Sequence, residues 1–298
     1  MYLIVGGTGS LGTALARRLR EAGRSVRVTT RTPERASALA SRGAEVVQAD
    51  LRDRASLERA CRGAEVVVAA AHSLFGRGDA ASARVDGRGH RELVDAAAAA
   101  GVRRFVYTSV LDFGLAFRPV PFFRIKHETE RYLEASGIAY TILRPAAFMD
   151  VHAHMLIGEP IARTGKAVLF GRGERPRNFV AADDVARIAL LAADDPASVG
   201  ETIDVGGPED LSNMEVVRLY ERLCGRRARV RHVPLSVVRT AARVMRPLHP
   251  GVSQVLQMAA IGDTVDQRFD AAPLARRFGI ELTRLEDWAA RRLRAEAP

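Results

Sequence analysis

Residues 3–12 read LIVGGTGSLG: an apolar run that breaks into four glycines within the seven positions from Gly6 to Gly12. The residues that follow place Leu11, Leu15 and Leu19 on one helical face, and Gly23 stands where a left-handed cap ends a helix. The stretch therefore reads as a strand, a tight turn and a helix. Gly6, Gly9 and Gly12 fall at the junction, where missing side chains let backbone N–H groups and the helix N-terminus close on paired phosphates. Gly6, Thr8, Gly9, Ser10, Leu11 and Gly12 are accordingly candidate ligands of a dinucleotide pyrophosphate, provided the turn lies within a βαβ unit.

Working outward, that condition is met. Short β-rich runs at 2–5, 25–30, 44–49, 64–71, 104–109 and 139–143 alternate with helical patterns. Such alternation predicts an α/β fold, a doubly wound parallel sheet of the Rossmann type. A helix following Asp86 carries Leu93 and Val94 and stops at Gly101. Beyond Pro145 the pattern loosens, although ETIDV (201–205) reads as a strand returning to the sheet. Ser212 with Glu215 forms a capping box, and Thr283 with Glu286 is expected to open the last helix in the same way. The division predicted is a dinucleotide-binding domain over 1–150, with the returning strand, and a smaller C-terminal substrate lobe over 151–298.

Composition is that of a globular protein, with 47% hydrophobic and 27% charged residues. No apolar run reaches the roughly 18 residues of a membrane span, and Leu3 to Val5 is too short for a signal peptide, so a cytoplasmic location is expected. The formal charge is +10, but the arginines are spread along the chain without interleaved aromatics, so no nucleic-acid partner is expected. Cys61 and Cys224 have no metal-ligand spacing, and no metal is expected. Lys126 and Lys166 are the only lysines among 45 basic residues. Lysine can titrate and arginine effectively cannot, which draws attention to these two positions.

The end of the second strand selects the dinucleotide. An acidic residue there would accept a hydrogen bond from the ribose of NAD, but the chain has Thr30-Arg31-Thr32-Pro33, with Arg35 following. A guanidinium suits a 2′-phosphate, so NADP(H) is the expected cofactor. Asp50 and Leu51 close the third strand as candidates for the adenine, and Ala70 near the end of the fourth completes the set.

GGTGSLG, the Asp50-Leu51 pair, GVRRFVYTSVL (101–111), Lys126 through Glu130 to SGIAYTILRP (136–145), and FVAADDVA (179–186) together resemble atypical short-chain dehydrogenase/reductases of the NmrA-like group. The likeness covers roughly residues 1–210 and weakens beyond. It implies an NAD(P)-binding Rossmann fold that serves either as a reductase or as a dinucleotide-binding regulator. It also implies a catalytic Tyr-x-x-x-Lys pair and a hydroxyl residue after the fifth strand. Here Phe122 occupies the tyrosine position, and Val110, next to Ser109, occupies the other. A phenyl ring passes no proton.

Lys126 remains, matching a lysine that in isoflavone-reductase-like relatives stands near the nicotinamide; it binds the ribose, with or without acid–base work. Ser109 is a second catalytic candidate, whereas alternation places Tyr107 with Phe105 in packing. His72, His152 and His154 are histidines within reach of a substrate; a spacing of two keeps the last pair from sharing a helix face. Hydride transfer makes modest demands on a protein beyond holding the nicotinamide against its substrate. The expectation is an NADP-dependent oxidoreductase acting on a small, mostly apolar carbonyl, enone or quinone, bound between Pro145–His154 and the C-terminal lobe. The alternative is a non-catalytic NADP(H)-sensing regulatory or scaffold protein. Oligomeric state stays open.

Overall fold

In the computed structural model, residues 1–296 are described. The chain divides into two compact units, one of residues 1–110, 121–144 and 185–204, the other of 111–120, 145–184 and 205–296.

The first unit holds seven strands: β1 (Tyr2–Val5), β2 (Val26–Thr30), β3 (Glu45–Gln48), β4 (Val66–Ala69), β5 (Arg104–Thr108), β6 (Tyr140–Pro145) and β10 (Glu201–Val205). They form one sheet in the order β10-β6-β5-β4-β1-β2-β3, and the pairs from β6 to β3 are parallel. Every strand expected from the sequence is present, including the returning one. The burial pattern explains the order. β1, β4 and β5 are buried at every position, as strands covered on both faces must be, while β3 leaves Glu45 and Gln48 exposed at the edge.

Helices α1 (Ser10–Glu21), α2 (Ser37–Ala40), α3 (Arg54–Cys61), α4 (His90–Ala99), α5 (Pro121–Glu134) and α7 (Ala182–Asp194) connect them. Leu11, Leu15 and Leu19 of α1 are buried, each contributing roughly 1.5–3 kcal/mol. Gly23 and Gly101 take positive φ after α1 and α4. The segment after Asp86 differs in kind from the expected helix: Ala83–Gly89 is a π-helix that becomes α4 at His90. Arg104, buried within β5, donates to Thr141 Oγ1, the Ala192 carbonyl and the Asp195 carbonyl through its two terminal nitrogens.

The second unit contains β7 (Ala147–Phe148), β8 (Lys166–Phe170), β9 (Pro176–Val180), β11 (Asp210–Ser212) and β12 (Arg229–Val233), in a three-stranded sheet β11-β9-β7 and a two-stranded sheet β12-β8. Its helices are α6 (Glu159–Thr164), α8 (Asn213–Cys224), α9 (Leu235–Leu248), α10 (Pro250–Gly262), α11 (Ala272–Phe278) and α12 (Leu285–Glu296), and a π-helix spans Met149–Gly158. Phe179, Tyr220, Ile157, Ile161 and Leu285 anchor its core. The capping box of Ser212 and Glu215 opens α8 as expected. The one expected at Thr283 does not form. Thr283 bonds the Asp184 carboxylate through both its N–H and its hydroxyl, α12 begins at Leu285, and Glu209 accepts from the Leu285 N–H. Carboxylates remote in sequence here outcompete the local partner for a free helix N-terminus.

No helix of the described residues is long and apolar enough to cross a membrane.

Candidate functional site

All strand ends after β1, β2, β3, β4 and β5 point the same way because the strands are parallel, and the loops that leave them meet along one edge. The order reverses between β1 and β4, which is where open α/β sheets bind ligands. Gly6 leaves β1 with φ 96°, and a Cβ there would lie 2.7 Å from the Ala71 N of the chain leaving β4. A Cβ on Gly12 would lie 2.2 Å from the Gly6 carbonyl oxygen. Both glycines are thus required by the protein's own packing.

Gly9 is not. Its φ of −81° and ψ of 167° suit any residue, and a Cβ there would meet only the Gly6 oxygen, at 3.6 Å. It is the N-cap of α1, no side chain caps that end, and Thr8, Gly9 and Ser10 are exposed. The space over Gly9, bounded by uncapped N–H groups, fits a pyrophosphate, whose oxygens need the backbone bare and supply the missing acceptors. Leu11 and Gly12 are buried.

The other expected cofactor residues lie along the same edge. Arg31 is exposed at the end of β2, and Arg35 is exposed in the short 3₁₀ helix Pro33–Ala36. Asp50 follows β3, its carboxylate already accepting from Arg52 Nε at 3.0 Å and Arg52 Nη2 at 2.5 Å, and these bonds hold it below the usual carboxylate range. Leu51 is buried, with its carbonyl oxygen 2.4 Å from where a Cβ on Gly89 would stand. The Ala70 N–H donates to the Val5 carbonyl at 2.9 Å, tying the β4 exit to that of β1.

Lys126, on α5, is 2% exposed. Its Nζ donates to the Thr108 carbonyl at 3.0 Å, lies 4.0 Å from Asp86 Oδ1, and sits over the rings of Tyr107 at 4.9 Å and Phe122 at 5.7 Å. Burial lowers its pKa from the ordinary lysine value, opposed by the charges of Asp86 and Glu130. Asp86 is fully buried and also accepts the Ser73 N–H at 3.0 Å, so it fixes the loop after β4 and faces the ammonium at once. His90 packs edge-on to Tyr107, and burial, with the Lys126 charge, pushes its pKa down to about 3, leaving it neutral. Tyr107 is buried and its hydroxyl is raised well above the ordinary value, so it is no acid near neutrality. Ser109 is buried after β5. Phe122 is buried beside Lys126, its ring edge-on to His72.

One turn along α5, Glu130 binds Arg144 of β6 through Nε at 3.0 Å and Nη2 at 2.5 Å. Burial would raise the Glu130 carboxyl, but the bonds from His127 and Arg144 bring it down to about 2. This pair clamps α5 against the sheet and so holds Lys126 in place. The sequence reading missed Asp86, His90 and the Glu130–Arg144 clamp as members of the site. Only the spacing of Lys126 and Glu130, four apart and therefore on one helix face, carried any signal.

The three histidines separate. His72 is exposed after β4. His154 is buried in the second unit, its ring nitrogens 3.0 Å from the Tyr220 hydroxyl and 3.0 Å from Glu296 Oε2. It is a core residue there, not one free to meet a substrate. His152, two residues back, faces Arg177 instead. No group of metal-ligating residues occurs among the described residues.

The model of the NmrA-like family matches residues 2–290. The chain belongs to the NmrA-like family. This NmrA-like chain is 30% identical over 299 residues, the whole of both chains, to the (4-alkanoyl-5-oxo-2,5-dihydrofuran-3-yl)methyl phosphate reductase of Streptomyces griseus. It is 29% identical over 295 residues to the photosystem II assembly factor Ycf39 of a Synechocystis species, covering 96% of this chain and 88% of that one. In fold it is similar to the NADPH-dependent quinone oxidoreductase QOR2 of Escherichia coli solved with NADPH, at a TM-score of 0.74 and 23% identity over 98% of this chain and 100% of that one.

Proposed function

We propose that this NmrA-like chain is an NADPH-dependent reductase of a small, mostly apolar carbonyl, enone or quinone. The observation that carries the reading is Gly9: a glycine that neither backbone angle nor packing requires, placed where a pyrophosphate needs bare backbone. Its relationship to a reductase along its whole length supports the same class. In this reading Gly6 to Gly12 hold the pyrophosphate, Arg31 and Arg35 the 2′-phosphate, Asp50 and Leu51 the adenine, and Ala70 lines the cofactor's path. Residues 151–296 supply mainly the substrate lobe.

When bound, NADPH would supply the hydride. Lys126 contributes a positive charge and a donor: one N–H bonds the Thr108 carbonyl, Asp86 at 4.0 Å balances the charge without a hydrogen bond, and the remaining protons can serve a ribose hydroxyl. Phe122 and Tyr107 help exclude water from that amine, and burial lowers its pKa from the ordinary lysine value. Ser109 can orient a substrate oxygen but is a weak acid, and Phe122 removes the usual proton donor. Quinones and polarised enones, which accept hydride and take their proton from water, are therefore the favoured acceptors.

A second reading, a non-catalytic NADP(H)-sensing regulator or scaffold, draws on Phe122 and on the similarity to an assembly factor. Anaerobic titration with NADPH and NADH, followed by stopped-flow oxidation against a quinone and enone panel, separates the two. Tight NADPH binding with stoichiometric turnover is expected; binding without oxidation by any acceptor would leave the sensor.

A further inference from the structure

Arg177 is a charge that the proposed chemistry leaves unused. It lies in β9 on the side of Phe179, and it is half-buried. Among the described residues no carboxylate lies within 4.0 Å of its guanidinium, and its one polar side-chain contact is His152 Nδ1, at 3.5 Å. The neighbouring acid, Asp263, accepts the N–H groups of Arg172 and Gly173, each at 2.8 Å, and acts on Arg177 through its charge without bonding it. Burial lowers Arg177 to about 10, and burial with the Arg177 charge lowers His152 to about 3, so the imidazole is neutral.

A guanidinium drawn partly out of water with no carboxylate bonded to it lacks a charge-assisted partner, and an anion from outside can supply one. The surroundings are shaped around it. Gly262 ends α10 at a point where a Cβ would stand 2.6 Å from Arg177 Nη2. Gln267 Nε2 donates to the Gly262 carbonyl at 2.9 Å, while backbone bonds from Asn178 N to Gln267 O and from Gln267 N to Pro176 O, at 2.9 and 3.1 Å, fix the strand on either side. His152 comes from the π-helix Met149–Gly158, a form that recurs at functional sites. With Nδ1 turned to the guanidinium as acceptor, its Nε2 carries the hydrogen and is a second donor. Neither side chain is sealed from solvent.

We infer that Arg177 and His152 form a binding site for an oxyanion, a carboxylate or phosphate monoester held by the guanidinium fork and the imidazole N–H. If the reductase reading holds, this anion is a substituent of the substrate, making the substrate an acidic carbonyl compound and not a wholly apolar one; that last step rests on the proposed function.

Calorimetry on NADPH-saturated protein, which occupies the glycine turn, tests the site with inorganic phosphate and with acetate. One saturable site is expected. Arg177→Gln should weaken it at least about tenfold, and Gly262→Ala, which keeps the charge but displaces the fork, severalfold, with NADPH affinity unchanged in both. Should Arg177→Gln unfold, Gly262→Ala and His152→Ala carry the same comparison. Absence of binding up to about 100 mM of either anion, or equal affinity in the folded variants, overturns the inference. A turnover arm compares 4-carboxybenzaldehyde with benzaldehyde: Arg177→Gln should lower kcat/KM for the acid more than for the neutral aldehyde. Anion binding lost in the variants, with neither aldehyde reduced, would sustain the site and overturn its assignment to a substituent of an aldehyde substrate.

Discussion

Two glycines three residues apart make opposite predictions, and measuring both tests the cradle. At Gly12 a methyl would stand 2.2 Å from the Gly6 oxygen and 2.8 Å from the Gly7 Cα, all backbone that cannot turn aside. Overpacking of this kind costs about 1–3 kcal/mol, and the better helix propensity of alanine returns less than about 1 kcal/mol. Gly12→Ala should therefore lose about 2 kcal/mol, a fall of roughly 5 °C in Tm for a chain of this size. At Gly9 a methyl meets one atom, at 3.6 Å. Alanine is a poorer N-cap by about 0.5–1 kcal/mol, but it restricts the unfolded chain by a similar amount, so stability should stay within about 1 kcal/mol. The methyl would nevertheless occupy the space over the turn, and NADPH affinity should fall at least about tenfold, or about 1.4 kcal/mol. Thermal unfolding without cofactor and fluorescence titration with NADPH read the two quantities separately. A Gly9→Ala protein that binds NADPH like the parent would refute the assignment of that space to a phosphate.

Arg31→Asp should weaken NADPH by about 10²-fold while leaving NADH within severalfold, since it replaces a phosphate-pairing cation by an anion; equal losses in parallel titrations would reject the 2′-phosphate role. Lys126→Arg should retain part of the NADPH affinity and lower turnover by about 10²-fold. Steady-state rates equal to the parent's would leave Lys126 with ribose binding alone. Arg144→Leu strands the Glu130 carboxylate in a buried position and should cost about 2–4 kcal/mol at pH 7 by urea unfolding. The Glu130 pKa of about 2 in the folded state lies below the roughly 4.3 of an unfolded chain, so its contribution is complete above about pH 4.5 and is lost as pH falls toward 2. The gap between Arg144→Leu and the parent should accordingly shrink at pH 3.5. A gap independent of pH would mean that the ion pair is not what the variant removes.

The sequence by itself determined what depends on near neighbours. Two-residue alternation and 3.6-residue faces set strands and helices, and the glycine spacing from 6 to 12 set the turn, because these are decided by contacts a few residues away. The parallel order then followed from connection length, and with it the edge where Arg31, Asp50, Ala70 and Ser109 gather. Only the tertiary structure decided how charges distant along the chain were shared out. Asp86 meets Lys126, forty positions further along the chain, Asp184 takes Thr283 from its local cap, and His152 and His154, adjacent but for Ala153, go to an arginine and to a tyrosine. A charge that is drawn into a low-dielectric interior binds whatever partner the packing brings within reach, and no local pattern in the sequence records which partner that is.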